Sequence, residues 1–216
     1  MPYKTILAYL NNEQHVGQLV DVAAHIADRN EAHLVAVYVV PSSVIGSPTP
    51  FGARIAGTGR ESFREEGRRI KESFEKAMIG RAVVAEWRTI EPPRGHPGPA
   101  EAVMAHARAA DLIVVSQADP KWEYSLLLDF PERLALESGR PTLVVPHSGR
   151  FPACGKRVLV AWNGRREAVR ALFDALPLLQ QAESVRIISV SAASDGDHDL
   201  PDTEIAAALA RHGVKC

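Results

Sequence analysis

Short apolar runs alternate along this chain with longer segments in which apolar residues recur every three or four positions. A short apolar run bounded by turn residues is typical of a buried strand, and the longer spacing is typical of an amphipathic helix. The pattern predicts five strands before residue 147: Lys4–Leu10, His33–Val39, Val83–Ile90, Asp111–Ser116 and Thr142–Pro146.

Helices are predicted between these strands. One follows the first strand, with Val16, Leu19, Val20, Ala23 and Ala27 on its apolar face, and the others cover Arg60–Ile79, Pro99–Ala110 and about Leu126–Glu137. The segment Pro41–Gly59 is rich in Ser, Gly and Pro, so it is predicted to be a mobile loop. Gln117–Ser125 is predicted to be a second loop.

The order of these elements predicts an α/β fold. Nearly continuous apolar strands that alternate with amphipathic helices indicate an open five-stranded parallel sheet with helices on both faces, a Rossmann-like arrangement. Ligands bind such sheets beyond the carboxyl ends of the strands, where the strand order reverses. The residues to inspect are Asn11-Asn12, Val39–Ser42, Glu91–Gly95 and Ser116–Ser125.

The beginning of this pattern occurs twice. Ile6–Asn12 is similar to Val158–Gly164, an offset of 152 residues, and at the same offset without a gap His33–Val39 falls on Val185–Ser191. We therefore expect a complete domain at residues 1–147, a linker at 148–155 and a partial repeat at 156–216.

The partial repeat is predicted to contain strands at Arg157–Trp162 and Val185–Val190 and helices at Arg166–Leu179 and Thr203–His212, with Pro177 able to kink or end the first helix. A sheet of only two strands lacks the neighbours that would cover its apolar surface and its edge. We expect this unit to pack on the first domain or on a second chain through Trp162, Val185–Val190 and the last helix.

Composition narrows the choice of partners and compartment. The formal net charge is −1, which argues against nucleic acid or an anionic membrane as a partner. The two cysteines fit neither a metal motif nor a disulfide framework. The start of the chain does not have the pattern of a secretory signal, and no apolar run is long enough for a bilayer. We expect a cytoplasmic protein.

Four segments resemble the bacterial universal stress protein family in its tandem-domain form. They are Lys4–Asn12, PAEAVMAHARAADLIVVS (Pro99–Ser116), PTLVVP (Pro141–Pro146) and RVLVAWNGRREAVRA (Arg157–Ala171). The resemblance implies a five-stranded parallel sheet and a homodimer. It also implies an ATP site in many members, built from an Asp after the first strand and a loop of the pattern Gly-x-x-Gly, nine residues, Gly-Ser/Thr after the fourth.

This sequence departs from the family at each of these positions. The Asp is replaced by Asn11, and by Asn163 in the repeat, and the loop positions hold Ser116, Asp119, Asp129 and Phe130. Val39 and Gly164 complete the candidate nucleotide contacts. The loop has also gained proline and carboxylate residues against a single lysine, which oppose a triphosphate: Asp119, Pro120, Lys121, Glu123, Asp129, Pro131 and Glu132.

Other candidate residues have simpler interpretations. Asn11 and Asn163 fit turn or helix-cap positions, His96 fits a solvated loop, and Ser116 lacks the glycine elbow of a nucleophile. The aromatic residues Trp122 and Tyr124 could cover a pocket, a partner or the emptied phosphate position. No histidine spacing indicates a metal site.

These observations favour a non-catalytic stress-response regulatory or scaffolding module that acts through protein contacts, as a homodimer or with a regulatory protein, and without a cofactor. The alternative is an ATP-binding switch with non-standard phosphate contacts and at most weak ATPase activity. A small hydrolase or transferase is a third hypothesis, and no paired acid and base support it.

Overall fold

The computed structural model describes residues 2–41, 50–93, 98–151, 154–189 and 202–216, without the side chains of residues 50–58, 126 and 202. The chain divides into two compact units, Tyr3–Pro152 and Ala153–Cys216, which are described separately. The linker predicted at residues 148–155 includes this division, and its role as a linker stays a prediction.

The first unit contains a five-stranded parallel sheet. Its strands are β1 (Thr5–Tyr9), β2 (His33–Val39), β3 (Ala85–Ile90), β4 (Leu112–Ser116) and β5 (Thr142–Val145). Their order is β3-β2-β1-β4-β5, and every neighbouring pair is parallel. The predicted fold class is confirmed.

Helices separate the strands as the sequence predicts. They are α1 (Val16–Asn30), α2 (Pro50–Met78), α3 (Pro99–Ala107), α4 (Ser125–Leu128) and α5 (Pro131–Glu137). One face of the sheet is covered by α3 and α5, and the buried core there includes Leu7, Tyr9, Val35, Val37, Val103 and Leu134. Alternate residues of β1 and β2 thus point into this core, as the pleat requires.

Two predictions about this unit are wrong. The segment predicted as a loop at Pro41–Gly59 is helical from Pro50 onward, with a kink at Gly59, where φ is 73° and ψ is 141°. Residues 42–49 of that predicted loop lie outside the described residues. The helix predicted at about Leu126–Glu137 is two short helices, because Phe130 precedes Pro131 and leaves the helical region, with φ −141° and ψ 46°.

The second unit contains a two-stranded parallel sheet, β6 (Arg157–Trp162) and β7 (Ser184–Ser189). Its helices are α6 (Arg166–Asp174), α7 (Leu176–Leu179) and α8 (Asp202–Arg211). The break between α6 and α7 fits the predicted effect of Pro177. A core of buried side chains joins the sheet to the helices: Trp162, Leu172, Leu179, Ala182, Val185, Ile205, Leu209 and Val214.

This core changes one prediction. Trp162 and Val185 are buried within their own unit, so their side chains are not available for the contact that the sequence predicted. The other face of the two strands carries the exposed side chains of Leu159 and Ile188.

The repeat is real but not gapless. Thr5 lies opposite His33 in the first sheet, and Arg157 lies opposite Ser184 in the second. Ser184 is therefore the counterpart of His33, at an offset of 151 residues, while the offset between β1 and β6 is 152. The ungapped alignment was wrong by one residue in β7, which matters because a one-residue slip exchanges the two faces of a strand.

Among the described residues, no helix combines the length and the apolar character that crossing a membrane would require.

Candidate functional site

The candidate site lies at the carboxyl ends of β1 and β4. These strands are neighbours at the centre of the sheet, and the chain proceeds from them to opposite sides, so this is the point where the strand order reverses. Asn11, Asn12 and His15 follow β1, while Ser116 ends β4 and the loop to α4 follows it. The sheet thus brings together two short segments that are about a hundred residues apart in sequence.

Asn11 is held by the segment that follows α4. Its Nδ2 atom donates to the Leu128 carbonyl oxygen at 2.6 Å and to Asp129 Oδ1 at 2.7 Å. The Asn11 side chain is only 2% exposed. It does not cap a helix, because Asn12 does so by accepting from the backbone N–H of Gln14 at 3.0 Å. The prediction that Asn11 is a turn or helix-cap residue is therefore wrong, and the neighbouring Asn12 has that role.

The Asp129 carboxylate also accepts from the loop after β4. Its Oδ2 atom receives the backbone N–H of Asp119 at 3.1 Å, while Oδ1 receives Asn11. Asp119, Asp129 and Asn11 are three of the positions that sequence analysis selected, and the structure joins them in one arrangement. A carboxylate of the chain itself is bound by two N–H donors at this edge of the sheet.

The backbone of the loop does not form an anion cradle of the glycine type. Such a cradle needs successive N–H groups that point to one centre, and it usually includes a residue with positive φ. No residue from Ser116 to Phe130, all of which the structure describes, has a positive φ. The loop thus lacks the backbone conformation that the missing glycines would have allowed.

His15 was not selected from the sequence, and it lies in the centre of this site. Its Nδ1 atom is 3.3 Å from Ser116 Oγ, and its Nε2 atom is 3.6 Å from Asp119 Oδ2. Burial lowers the pKa of His15, the charge of His147 lowers it further, and Asp119 and Asp129 oppose that shift. No sequence spacing could have identified His15, because its neighbours come from a distant loop.

Ser116, His15 and Asp119 resemble the order of a nucleophile, a base and an acid, but their hydrogen bonds do not activate the serine. Ser116 Oγ donates to the Gln117 carbonyl oxygen at 2.9 Å, so its single proton is not directed to His15. The Ser116 side chain is also only 4% exposed. This geometry does not support turnover by a serine nucleophile.

Aromatic side chains of the segment after β4 pack on other rings of the first unit. Tyr124 contacts Phe63 of α2 edge to face, with ring centroids 5.4 Å apart, and Trp122 contacts Tyr124 at 6.0 Å. Phe130 stacks on Tyr9 at 5.0 Å. These contacts join Tyr124 to α2 and Phe130 to β1, and the interpretation that Trp122 and Tyr124 cover the emptied phosphate position stays a prediction.

Three buried polar atoms near the end of β1 have no hydrogen-bond partner among the described residues: Tyr9 Oη, Asn11 Oδ1 and Asn12 Nδ2. Burial and the charges of Tyr38, Asp129 and Glu66 raise the pKa of Tyr9, so its hydroxyl keeps its proton. Buried polar groups usually find a partner in protein or ordered water.

The other predicted site residues do not join this arrangement. Val39 is buried as the last residue of β2. Asn163 and Gly164 belong to the second unit, where Asn163 Oδ1 accepts from the backbone N–H of Arg165 at 3.0 Å. That bond confirms the turn interpretation of Asn163. His96 lies outside the described residues, and within those described there is no cluster of three metal-ligating side chains.

The sequence profile of the universal stress protein family matches residues 2–146. The chain belongs to the universal stress protein family. No curated protein matches the sequence.

Several solved universal stress proteins are similar to this chain. One from Burkholderia pseudomallei is 28% identical, covers 67% of this chain and 96% of its own length, and has a TM-score of 0.46. One from Archaeoglobus fulgidus DSM 4304 is 17% identical, covers 97% of this chain and 74% of its own length, and has a TM-score of 0.58, so the fold is shared. A third, solved in complex with cAMP, is 23% identical and covers 68% of this chain and all of its own, with a TM-score of 0.39.

Proposed function

We propose that this universal stress protein is a non-catalytic regulatory or scaffolding module whose first unit does not use ATP. The observation that supports this proposal is the Asp129 carboxylate, which takes up the N–H donors of Asn11 and Asp119. A phosphate placed at the same donors would have to displace that carboxylate and would meet like charge from it.

The lack of turnover at this site bears on how the whole protein acts. A module without turnover acts through the surfaces that it presents to other proteins, in a homodimer or with a regulatory partner. We place it in the cytoplasm, where stress-response regulation takes place. The two cysteines, Cys154 and Cys216, are not joined by a disulfide, which agrees with a reducing compartment.

Calorimetric titration of the full chain with ATP and Mg²⁺ tests the first unit. We expect no binding below about 1 mM, because both donors are occupied and the local charge is negative. A phosphate-release assay on the same sample should give no turnover. A dissociation constant near 1 μM, about −8 kcal/mol, would refute the proposal.

A variant tests the role of the carboxylate. Asp129→Gly frees the Asn11 and Asp119 donors, so we expect measurable binding of inorganic phosphate or ATP. Glu132→Gln removes the same charge from a nearby position that has no such contact, and it should gain nothing. If both variants behave like the unchanged protein, Asp129 is not what excludes the phosphate.

The alternative is a nucleotide-binding switch with non-standard phosphate contacts. The unpartnered atoms of Tyr9, Asn11 and Asn12 favour it, because they could receive the polar edges of a small ligand. That a solved family member binds cAMP is a property of that protein. Titrations with ATP and with cAMP distinguish the two proposals, since binding of either nucleotide would support the alternative.

A further inference from the structure

Two histidines from distant parts of the chain face each other beside the candidate site. His15 precedes α1, and His147 lies two residues after β5. Their ring centroids are 6.4 Å apart, and the ring planes are inclined by 42°. His15 is 5% exposed, and His147 is partly buried. We name these two side chains the histidine pair.

The two members of the histidine pair have different polar neighbours. His15 has one at each ring nitrogen, with Ser116 Oγ 3.3 Å from Nδ1 and Asp119 Oδ2 3.6 Å from Nε2. In contrast, His147 Nδ1 is buried and has no hydrogen-bond partner among the described residues. A protonated imidazole is a donor at both nitrogens. Protonation of His147 in this position would therefore leave a charged N–H group buried without an acceptor, which is costly.

Charged groups from two parts of the first unit act on His15. Asp119 and Asp129, in the segment after β4, favour a proton on its ring, whereas burial and the neighbouring His147 oppose one. Burial is the largest of these effects, so the pKa of His15 is lowered and its ring is uncharged at neutral pH. A proton on His15 thus becomes more favourable when water reaches the ring and His147 moves away.

The segment that carries His147 lies outside the helices and strands. It covers residues 146–150, which we name the His147 segment, and each of these residues except His147 is exposed. Gln18 Nε2 of α1 donates to the Pro146 carbonyl oxygen at 3.0 Å and so ties the segment to the helix. Exposed backbone with few buried apolar contacts opens at a low cost in free energy. The His147 segment is therefore the part of this arrangement that can move without disturbing the sheet.

We propose that the histidine pair is an acid-sensitive switch, in which protons on His15 and His147 move the His147 segment away from His15. Two imidazolium groups at this distance repel each other, because their partly buried setting screens the charges less than water does. After the movement His15 keeps Asp119 as its ion-pair partner and gains water, and His147 gains water at Nδ1. The contact between Asn11 and Asp129 is not part of the switch.

The switch adds regulation by pH to the function through protein contacts proposed above. A surface that changes between neutral and mildly acidic pH would present the first unit differently to a partner in an acidified cell. This use of the switch rests on the proposed function, while the movement itself does not. Binding of ATP would refute the proposed function, and a titration without nucleotide would still decide whether the switch exists.

The direction of the effect follows from proton binding. An exposed histidine has a pKa of about 6.5, and the pKa of His15 in the closed arrangement lies below its ordinary value. Below about pH 6.5 the open arrangement therefore binds more protons. The ratio of open to closed molecules then rises by at most about tenfold for each pH unit and each proton. Carboxyl groups ordinarily titrate near about pH 4, so a range from about pH 7.5 to 5.5 reads the histidines.

NMR spectroscopy of the full chain without nucleotide tests the switch. The ring protons of His15 and His147 report proton binding, and the heteronuclear 15N–1H NOE of residues 147–149 reports the order of the His147 segment. Between about pH 7.5 and 5.5 we expect both rings to titrate and the NOE values to fall to about half. Unchanged NOE values, or rings that stay neutral at about pH 5.5, would overturn the proposal.

Three variants locate the switch. His15→Gln and His147→Gln each remove one of the two charges, so each should reduce the pH-dependent change in the NOE values to about half or less. Asp119→Asn removes a carboxylate that favours a proton on His15, so the change should move to lower pH. If all three variants respond to pH like the unchanged protein, the histidine pair does not cause the movement.

His33→Gln is the matched control. His33 lies at the start of β2, its side chain is 38% exposed, and its Nε2 atom is 3.7 Å from Glu86 Oε2, so it is a histidine of the same unit outside the pair. This variant should keep the full pH-dependent change. A loss as large as in the pair variants would mean that the effect comes from the total charge of the unit, and the proposal would be wrong. Circular dichroism at both pH values checks that each variant is folded.

Discussion

The strand pair β1–β2 and the strand pair β6–β7 begin from similar sequence and differ in their surroundings. Leu7 of β1 is 1% exposed and its counterpart Leu159 in β6 is 62% exposed. The first pair is central in a five-stranded sheet with helices on both faces. Among the described residues, the second pair forms a two-stranded sheet with helices on one face. An apolar run in the sequence thus specifies a strand, and only the neighbouring elements decide how much of it is buried.

The comparison also shows how an inherited pattern changes when a face is not covered. Val35 is part of a packed core, and its counterpart Arg186 is exposed. Without a covering helix, a charged side chain at this position costs nothing in desolvation and keeps the patch from being continuously apolar. In contrast, the face toward the helices stays apolar in both units, with Val185 as the counterpart of Leu34.

The largest expected difference between the two units is whether each one folds stably when it is expressed alone. Residues 154–216 expressed alone should not form a stable, monomeric fold, since a unit of this size buries only about 60% of its unfolded surface. Residues 1–152 should fold alone. Amide dispersion in NMR spectra and thermal melting measure both. A well-dispersed, cooperatively melting fragment 154–216 would show that the second unit is stable without any further contact.

The two leucines give a matched test of burial. Leu7→Ala should destabilise the first unit by about 2–5 kcal/mol, because it leaves a cavity in the core beneath α3. Leu159→Ala should change the stability of the second unit by no more than about 0.5 kcal/mol. Amide hydrogen exchange, followed for peptides of each unit, reads the two values separately. Similar losses at both sites would mean that the Leu159 side chain is buried in solution.

A close contact of the first unit has no equivalent in the second, where Ser189 replaces Tyr38. A Cβ atom on Gly67 of α2 would lie 2.6 Å from Tyr38 Cε1 and 2.8 Å from Cδ1. Gly67→Ala should therefore cost about 1–3 kcal/mol by overpacking. Gly17→Ala is the control, because nothing lies within 4 Å of its Cβ, and it should gain about 0.5–1 kcal/mol. Urea unfolding measures both, and a neutral Gly67→Ala would show that α2 can move away.

The smallest expected effect concerns pH. The position of the buried His15 corresponds to the exposed Glu167 of α6. Burial lowers the pKa of His15 in the folded state, so below about 6.5 the unfolded chain binds a proton that the folded chain resists. Stability should fall as the pH decreases from that value toward the lower pKa of the folded state.

The variant His15→Gln should lose part of this slope. His106, whose pKa is also lowered by burial, supplies another part and stays unchanged in the variant. Thermal melting points measured across the same pH range give the comparison. Identical slopes for the variant and the unchanged protein would mean that protonation of His15 is not resisted.

Much of the fold could be predicted from local sequence. Each strand is a short apolar run, and in each helix apolar residues recur every three or four positions. The exceptions have local causes too. Ser, Gly and Pro near Gly59 indicated a loop, but Pro50 is a good first residue for a helix, and only Gly59 itself leaves the helical region, so that it separates two helical segments of α2. The repeat offset is one residue shorter between β2 and β7 than between β1 and β6. This difference could not be predicted from the sequence, since an offset of 151 and an offset of 152 both align apolar residues.

The site could be predicted only as a location. The ends of β1 and β4 follow from topology, and the loss of the glycines was visible in the sequence. The contacts between Asn11 and Asp129 and between Ser116 and His15 join residues 118 and 101 positions apart, and no sequence pattern predicts such a pairing. These long-range contacts decide what the site can bind, so the chemistry required the structure.

The bridging carboxylate of Asp129 has a consequence for how this protein would respond to the cell. A group on the same chain is present at a fixed effective concentration, unlike a diffusing ligand. The arrangement of Asn11, Asp119 and Asp129 would thus be the same in a starved cell and in a well-fed one. A stress protein of this design would signal by its abundance, because a change in the ATP level of the cell would not change what occupies this site.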